Sequence, residues 1–213
     1  MRIEAIVSDF GGVLTTPLIQ SFAAFQDETG ITPEALGGAM ARITERTGKQ
    51  PLFELECGRV TEEEFLRDLE SELTNGGGEH PHLQRFREVY FDALNPNPRM
   101  IELMEELRDS GLRMAMLTNN VREWEPVWRS MLPVDEIFEF VVDSAFVGCR
   151  KPDREIYEIV LERLGLPAEA CLFVDDVEVN VEAAREIGLA AVQFRDNEQA
   201  IPEIRRLLDG VAA

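Results

Sequence analysis

The stretch "VSDFGGVLTT", residues Val7 to Thr16, decides how the rest of the chain is interpreted. It closes a short apolar run that begins at Ile3 and has the length and composition of a buried strand. Asp9 stands where that strand ends, and Gly11 and Gly12 follow in the loop. Because glycine lets a backbone bend closely around a ligand, the stretch predicts a strand that delivers one carboxylate to a small-ligand site.

Four further apolar runs follow along the chain, "LRMAMLT", "IFEFVVDSA", "CLFVDD" and "AAVQF". Amphipathic stretches with helical periodicity, such as "PRMIELMEELRDSG" and "REIYEIVLERLG", precede two of these runs and end at glycines. Strands that alternate with helices predict an α/β fold with a doubly wound, mainly parallel, Rossmann-like sheet.

The interval from about residue 17 to residue 94 breaks this alternation, because it contains helical patterns and no convincing buried strand. Thr61 and Glu64 are spaced as a capping box at the start of one such helix. "NGGGEHPH" is interpreted as a flexible connection, and its two histidines as linker residues rather than metal ligands. We therefore predict an all-helical cap, 17–94, inserted into an α/β core made of 1–16 and 95–213.

The composition limits the partners of the protein. Its 21 Lys and Arg against 41 Asp and Glu give a formal net charge of -20, which repels nucleic acid and anionic membranes. A small phosphorylated metabolite stays compatible, because a metal ion or lysine outweighs the general field at short range. Three cysteines without a CxxC pair, and a beginning unlike a signal peptide, predict a cytoplasmic protein with reduced thiols. The oligomeric state is not predictable.

Polar residues follow the predicted strands where each strand ends. Ligands of open parallel sheets bind beyond the carboxyl ends of the strands, so these residues are expected to meet. In chain order they are Asp9, Thr118 and Asn119 in "LTNN", Lys151 in "CRKPD", and Asp175 with Asp176 in "VDDVEVN". Each group alone is an ordinary turn or strand end. Together they supply a nucleophile, oxygen ligands for a hard cation and donors for phosphate oxygens, which indicates phosphoryl transfer.

These four stretches resemble, in order, the four motifs of the haloacid dehalogenase-like hydrolase superfamily, in the subfamily with a helical cap after the first strand. The likeness covers essentially the whole chain, and "LECGRVTEEEF" resembles a cap segment common in that subfamily. "DFGGVL" together with "DD" is similar to the phosphatase-like domain of soluble epoxide hydrolases and to small sugar-phosphate phosphatases. The resemblance implies a magnesium-dependent phosphatase that hydrolyses a small phosphomonoester through an aspartyl-phosphate intermediate.

The resemblance also assigns roles to residues of this chain. Asp9 matches the nucleophile and a metal ligand, and the backbone carbonyl of Gly11 matches a second ligand. Asp176 matches a direct Mg²⁺ ligand, with Asp175 supporting it or binding through water. Asn180, one helical turn further on, is expected to brace this acidic loop.

The phosphate contacts follow from the same resemblance. Thr118 matches the hydroxyl that binds the transferring phosphoryl group, with the backbone N–H of Asn119 beside it. Lys151 matches the lysine that neutralises the charge of the phosphate and of the nucleophile.

The chain departs from the family pattern at Gly11, where most phosphatases of the superfamily carry an aspartate that serves as general acid and base. Three explanations stay open: substrates whose leaving groups need little help, a proton from water or from the cap, or a weakly active or non-catalytic phosphate-binding module. A metal-independent hydrolytic dehalogenase is a further alternative, which the "VDD" pair disfavours because it would repel a carboxylate substrate. A phosphorylatable signalling receiver is disfavoured by the order of the motifs.

Overall fold

In the described part of the chain, five parallel strands form one sheet at the centre of the fold. The computed structural model describes residues 2–74 and 83–210. The strands are β1 (Ala5–Ser8), β2 (Arg113–Thr118), β3 (Phe140–Asp143), β4 (Cys171–Asp175) and β5 (Ala190–Gln193), in the order β3-β2-β1-β4-β5. The chain builds outward from β1 to β3 and then returns to β4 on the other side of β1. This switch of direction at β1 is where such sheets bind ligands, and the predicted fold class is confirmed.

The strands appear in the sequence as continuous apolar runs because their side chains are covered on both faces of the sheet. All residues of β1 and β4 are buried, and β1 pairs in register with both neighbours, Val7 lying opposite Ala115 and Phe173. Alternate residues of the strands belong to two apolar clusters, one on each face. Ile6 contributes to one cluster and Val7 to the other.

Over residues 95–210, seven helices cover the sheet. They are α6 (Pro98–Asp109), α7 (Glu125–Ser130), α8 (Val134–Ile137), α9 (Ser144–Val147), α10 (Arg154–Leu164), α11 (Glu178–Ile187) and α12 (Asn197–Leu208). Their numbers follow those of five earlier helices, which are described in the next paragraph. Residues of α6 and α12 pack into the cluster on one face, and residues of α10 and α11 into the cluster on the other. Helices therefore lie on both faces, as in doubly wound folds.

The described residues between β1 and α6 form five helices. They are α1 (Ile19–Thr29), α2 (Pro33–Thr47), α3 (Pro51–Glu56), α4 (Glu62–Thr74) and α5 (Phe86–Asp92), and we call them the helical insertion. Among the described residues of this interval the structure contains no strand, as predicted. The capping box at the start of α4 is present: the Thr61 amide donates to Glu64 Oε2 at 2.9 Å, and the Glu64 amide donates to Thr61 Oγ1 at 3.2 Å. The predicted connection over residues 75–82, with both histidines, lies outside the described residues.

The chain enters and leaves the helical insertion at one place. Thr15 and Pro96 form an antiparallel bridge. The Thr16 amide donates to the Asn95 carbonyl at 2.7 Å, and the Asn97 amide donates to the Leu14 carbonyl at 2.8 Å. The predicted division into a core and a cap is compatible with these paired connections and stays a prediction. In the described ranges, no helix combines the length and the apolar character that crossing a membrane requires.

Candidate active site

Two of the carboxylates predicted to meet at the carboxyl edge of the sheet lie against the ammonium group of Lys151. Its Nζ lies 2.8 Å from Asp9 Oδ1 and 2.6 Å from Asp175 Oδ2. Asp9 follows β1, Asp175 ends β4, and Lys151 comes from the loop between α9 and α10. All three side chains are buried, with Lys151 1% exposed. A buried charge needs such partners, because burial of an unpaired ion is very costly.

The position of Lys151 is fixed by its backbone as well as by its side chain. Nζ also donates to the Leu117 carbonyl in β2 at 2.9 Å. The Asn119 side chain brackets the lysine backbone: Asn119 Nδ2 donates to the Lys151 carbonyl at 2.9 Å, and the Lys151 amide donates to Asn119 Oδ1 at 2.8 Å. This role of the Asn119 side chain was not predicted, since residues 32 positions apart carry no local signal of pairing.

The two adjacent carboxylates of "VDD" have different surroundings. Asp175 is fully buried and accepts hydrogen bonds from the Val177 amide at 2.9 Å and from Asn180 Nδ2 at 3.0 Å, in addition to Lys151. Asn180 thus braces the acidic loop, as expected, by binding Asp175. Asp176 is only partly buried and borders an open cavity. The Asp175 carboxylate is therefore occupied by hydrogen bonds within the protein, whereas Asp176 borders the space where a ligand would lie.

Asp9, Asp175 and Asp176 form an acidic cluster, each presenting a carboxylate oxygen within 4.8 Å of the others. Burial, opposed by the charge of Lys151 and reinforced by the other two carboxylates, raises the pKa of Asp9 to about 7. Burial and the nearby charge of Asp175 raise the pKa of Asp176 to about 6. Three carboxylates against one ammonium leave an excess of negative charge. This donor set fits a hard divalent cation, which would relieve the repulsion that raises these pKa values.

The two glycines after Asp9 differ in what they contribute. Gly12 has a φ of 77°, and a Cβ at this position would lie 2.3 Å from Asp176 Oδ2, so only glycine leaves room for that carboxylate. Gly11 does not adopt a left-handed φ, and its Cβ would meet Leu18 Cδ2 at 3.2 Å, the far end of a flexible side chain. The backbone conformation at Gly11 therefore does not require glycine, and the difference from the family pattern at this position is only the missing side chain.

A cavity of about 780 Å³ lies over this edge of the sheet. Asp9, Gly11, Thr118, Lys151 and Asp176 border it from the sheet side, together with Asn119 and Asn180. Most of its other walls come from the helical insertion and consist mainly of leucines and aromatic rings, and residues such as Trp124, Val177 and Val179 complete them. The structure thus brings every predicted site residue to one cavity, with Asp175 buried directly behind it through its contact with Lys151.

Contacts between the helical insertion and the sheet domain surround the cavity, and sequence patterns did not indicate them. Glu56 in α3 forms an ion pair with Arg150 at 2.6 Å, and Arg59 Nη2 donates to the Gly148 carbonyl at 3.0 Å. Trp124 Nε1 donates to Glu62 Oε1 in α4 at 2.8 Å. These contacts join residues 62–94 positions apart in sequence, and they hold the insertion over the acidic cluster.

Comparison with known proteins identifies the family of this chain. The family described as haloacid dehalogenase-like hydrolase matches residues 3–188. The chain belongs to the haloacid dehalogenase-like hydrolases. The resemblance recognised from the four motifs is confirmed, and the protein is a hydrolase of this family.

Several relatives of this hydrolase are named as phosphatases. A phosphatase of Mycobacterium tuberculosis is 34% identical over 100% of this chain and 97% of its own length. A sesquiterpene phosphatase of Aspergillus oryzae is 29% identical over 96% of each chain. Bifunctional epoxide hydrolase 2 of Sus scrofa is 27% identical over 97% of this chain, which spans only 39% of that longer protein.

A solved structure shares the fold of this hydrolase. It is a haloacid dehalogenase-like family enzyme of Bacteroides thetaiotaomicron in complex with magnesium and inorganic phosphate, with 20% sequence identity and a TM-score of 0.67. The match covers 92% of this chain and 96% of that chain.

Proposed function

We propose that this hydrolase is a Mg²⁺-dependent phosphatase that cleaves a phosphomonoester through an aspartyl-phosphate on Asp9. The observation that carries the proposal is the Asp9 carboxylate, held by Lys151 at 2.8 Å inside the acidic cluster and open to the cavity. The names of the relatives, and the magnesium and phosphate bound to the related structure, support the same chemistry.

Lys151 prepares Asp9 for attack. A carboxylate repels the dianionic phosphate it has to attack, and the ammonium group at Oδ1 offsets this repulsion while fixing the orientation of the side chain. An Asp9 oxygen forms a bond to phosphorus as the bond to the leaving oxygen breaks, and the leaving oxygen takes a proton from solvent water. Water then attacks phosphorus, which releases inorganic phosphate and restores the Asp9 carboxylate.

Other residues of the chain stabilise the transferring group. The Thr118 hydroxyl and the backbone N–H of Asn119 would donate to phosphoryl oxygens; in support, both residues border the cavity where β2 ends. Asp9, Asp176 and the Gly11 carbonyl would hold Mg²⁺, with Asp175 behind them. The ion, when bound, would neutralise charge on the phosphoryl oxygens.

We propose the division of the chain into a core, 1–16 and 95–213, and a cap, 17–94. The paired connections Leu14–Thr16 and Asn95–Asn97 lie at its boundary. In this arrangement the core supplies the reacting groups, and the cap closes the space that the organic part of the substrate occupies.

Substitution of the nucleophile tests the proposal. Asp9→Asn should reduce Mg²⁺-dependent phosphate release from phenyl phosphate to less than a few per cent of the wild-type rate, because an amide is a poor nucleophile. Acid-quenched wild type, analysed by mass spectrometry, should carry a phosphoryl group that the variant lacks. Asp153→Asn is the control, since Asp153 borders the same cavity outside the acidic cluster.

Three results would reject this function. Substantial phosphate release by the Asp9→Asn protein would exclude Asp9 as nucleophile. Halide release from a short haloacid in the presence of a chelator, without phosphate release from aryl phosphates, would favour the dehalogenase alternative. Binding of inorganic phosphate without any turnover would favour a non-catalytic module.

A further inference from the structure

The cavity extends from the reacting residues into the interior of the helical insertion. Leu36, Leu55, Leu69 and Leu83 all border it, yet each is at most 7% exposed. The inner end of the cavity is therefore lined by packed apolar side chains of the insertion, which leave little of their own surface accessible. A helical bundle normally fills its interior with side chains, because an apolar void loses packing contacts on every side.

Aromatic rings form the side of the cavity above the sheet edge. The Tyr90 and Trp124 ring centroids lie 5.0 Å apart, those of Phe86 and Trp124 6.0 Å, and those of Phe22 and Tyr90 6.1 Å. Since the indole N–H of Trp124 is taken by Glu62, the indole has no free donor for a ligand in the cavity.

The charged groups that the cap brings to the cavity are already paired. Glu56 binds Arg150, whose guanidinium lies 3.9 Å from the centroid of the Phe53 ring. Arg59 binds Glu54 at 2.9 Å and the Gly148 carbonyl. A sugar or glycerol group in this cavity would give up hydrogen bonds to water and find few unpaired partners among the described wall residues, whereas a hydrocarbon group would lose nothing.

Exposed apolar side chains lie at the opening of the cavity. Phe53, Val177 and Val179 are 43%, 45% and 53% exposed, and all three border the cavity. Val177 directly follows Asp176 in the acidic cluster. An apolar surface therefore continues from the reacting residues to solvent, which suits a ligand that carries its phosphate at one end of a long apolar group.

We propose that the substrate is an apolar phosphomonoester, in which a hydrocarbon chain or ring system occupies the cavity and the phosphate reaches Asp9. This inference rests on the proposed phosphatase function and adds the class of its organic group. It assigns the specificity of the enzyme to the walls of the cavity, in particular to residues of α2, α4 and α5.

A series of para-alkylphenyl phosphates, from methyl to octyl, tests the inference. The pKa of the phenol leaving group is nearly constant along this series, so the chemical step is matched while apolar area grows. Each methylene that enters the cavity should raise kcat/KM by about 2–4-fold until the cavity is full, as expected for burial of apolar surface.

Two variants locate the effect. Met40→Gln places an amide of similar length on a half-buried wall position, and it should reduce the gain in kcat/KM per methylene along the series. Ile19→Gln is the matched control, because Ile19 is 66% exposed and does not border the cavity. If Met40→Gln does not fold, Leu66→Asn serves the same purpose.

The outcomes separate this inference from the proposed function. Turnover with kcat/KM independent of chain length would overturn the apolar substrate and leave the phosphatase function standing. If no aryl phosphate is hydrolysed, the proposed function fails. Calorimetry with alkylphosphonates then tests separately whether the cavity binds apolar groups. Tighter binding of octylphosphonate than of methylphosphonate would then support the apolar site, and equal binding would overturn it.

Discussion

Gly12→Ala is the substitution whose effect follows most directly from the geometry. The added Cβ would lie 2.3 Å from Asp176 Oδ2 and 2.7 Å from Asp176 Cγ. The carboxylate would have to retreat by about 1 Å to regain an ordinary van der Waals separation. Alanine would also have to adopt the φ of 77°, which costs an L-residue roughly 1–2 kcal/mol.

The displaced carboxylate should weaken the metal site far more than it weakens the fold. Changes around a metal ligand typically lower metal affinity about 10–100-fold, so the Mg²⁺ concentration for half-maximal phosphate release should rise by about that factor. The free energy of unfolding, measured in urea with a chelator present, should fall by about 1–2 kcal/mol from the backbone cost alone.

Gly30→Ala is the matched control for this experiment. Gly30 has a φ of 73°, nearly that of Gly12, but a Cβ added there would meet no atom of the described residues within 4 Å beyond its own chain neighbours. The control should show a similar loss of stability and an unchanged Mg²⁺ requirement. A Gly12→Ala enzyme with a wild-type Mg²⁺ requirement would refute the assignment of Asp176 as a metal ligand.

Three further predictions concern the acidic cluster and the loop before it. Asp176→Asn should raise the Mg²⁺ requirement with little loss of stability. Asp175→Asn should instead lower the free energy of unfolding by about 3 kcal/mol, because it removes a charge partner of buried Lys151. Mg²⁺ titration measures the first effect and urea unfolding the second, and equal effects of the two variants would contradict the assignment. The pKa values of Asp9 and Asp176 are raised to about 7 and about 6, so protons should compete with the cation for these carboxylates. The Mg²⁺ requirement should therefore increase as pH falls below 7. A requirement independent of pH would count against Asp9 and Asp176 as metal ligands. Gly11→Asp should flatten the dependence of kcat/KM on leaving-group pKa, since a general acid contributes about 10²–10⁴-fold, and a flat wild-type series would show that another donor is already present.

The sequence predicted the sheet correctly, and it also predicted that the site residues lie together at one edge of the sheet. Both predictions have a physical basis. Central parallel strands are buried on both faces, so β1 and β4 appear as unbroken apolar runs. The carboxyl ends of such strands share one edge, so the residues that follow them meet without any knowledge of side-chain contacts. Asp9, Lys151 and Asp175 were placed together on this basis, although their catalytic and metal-binding roles remain predictions.

The parts that sequence did not predict depend on contacts between distant residues. Nothing near Asn119 indicates that its side chain brackets Lys151, and nothing near Glu56 indicates Arg150 as its partner, 94 positions away. The cavity is likewise set by how five helices are arranged relative to the sheet. Periodicity shows which face of a helix is apolar, but it does not show whether that face meets another side chain or a space.

The side-by-side connections at Leu14–Thr16 and Asn95–Asn97 have a consequence for how this protein can change. Because the two ends of the intervening segment lie within hydrogen-bonding distance, a different helical segment could join the same two points without stretching the sheet. Variation that alters which molecule is accepted can accumulate in one continuous block of sequence, while the reacting residues stay in the flanking blocks. Selectivity and chemistry can then be inherited, and engineered, separately.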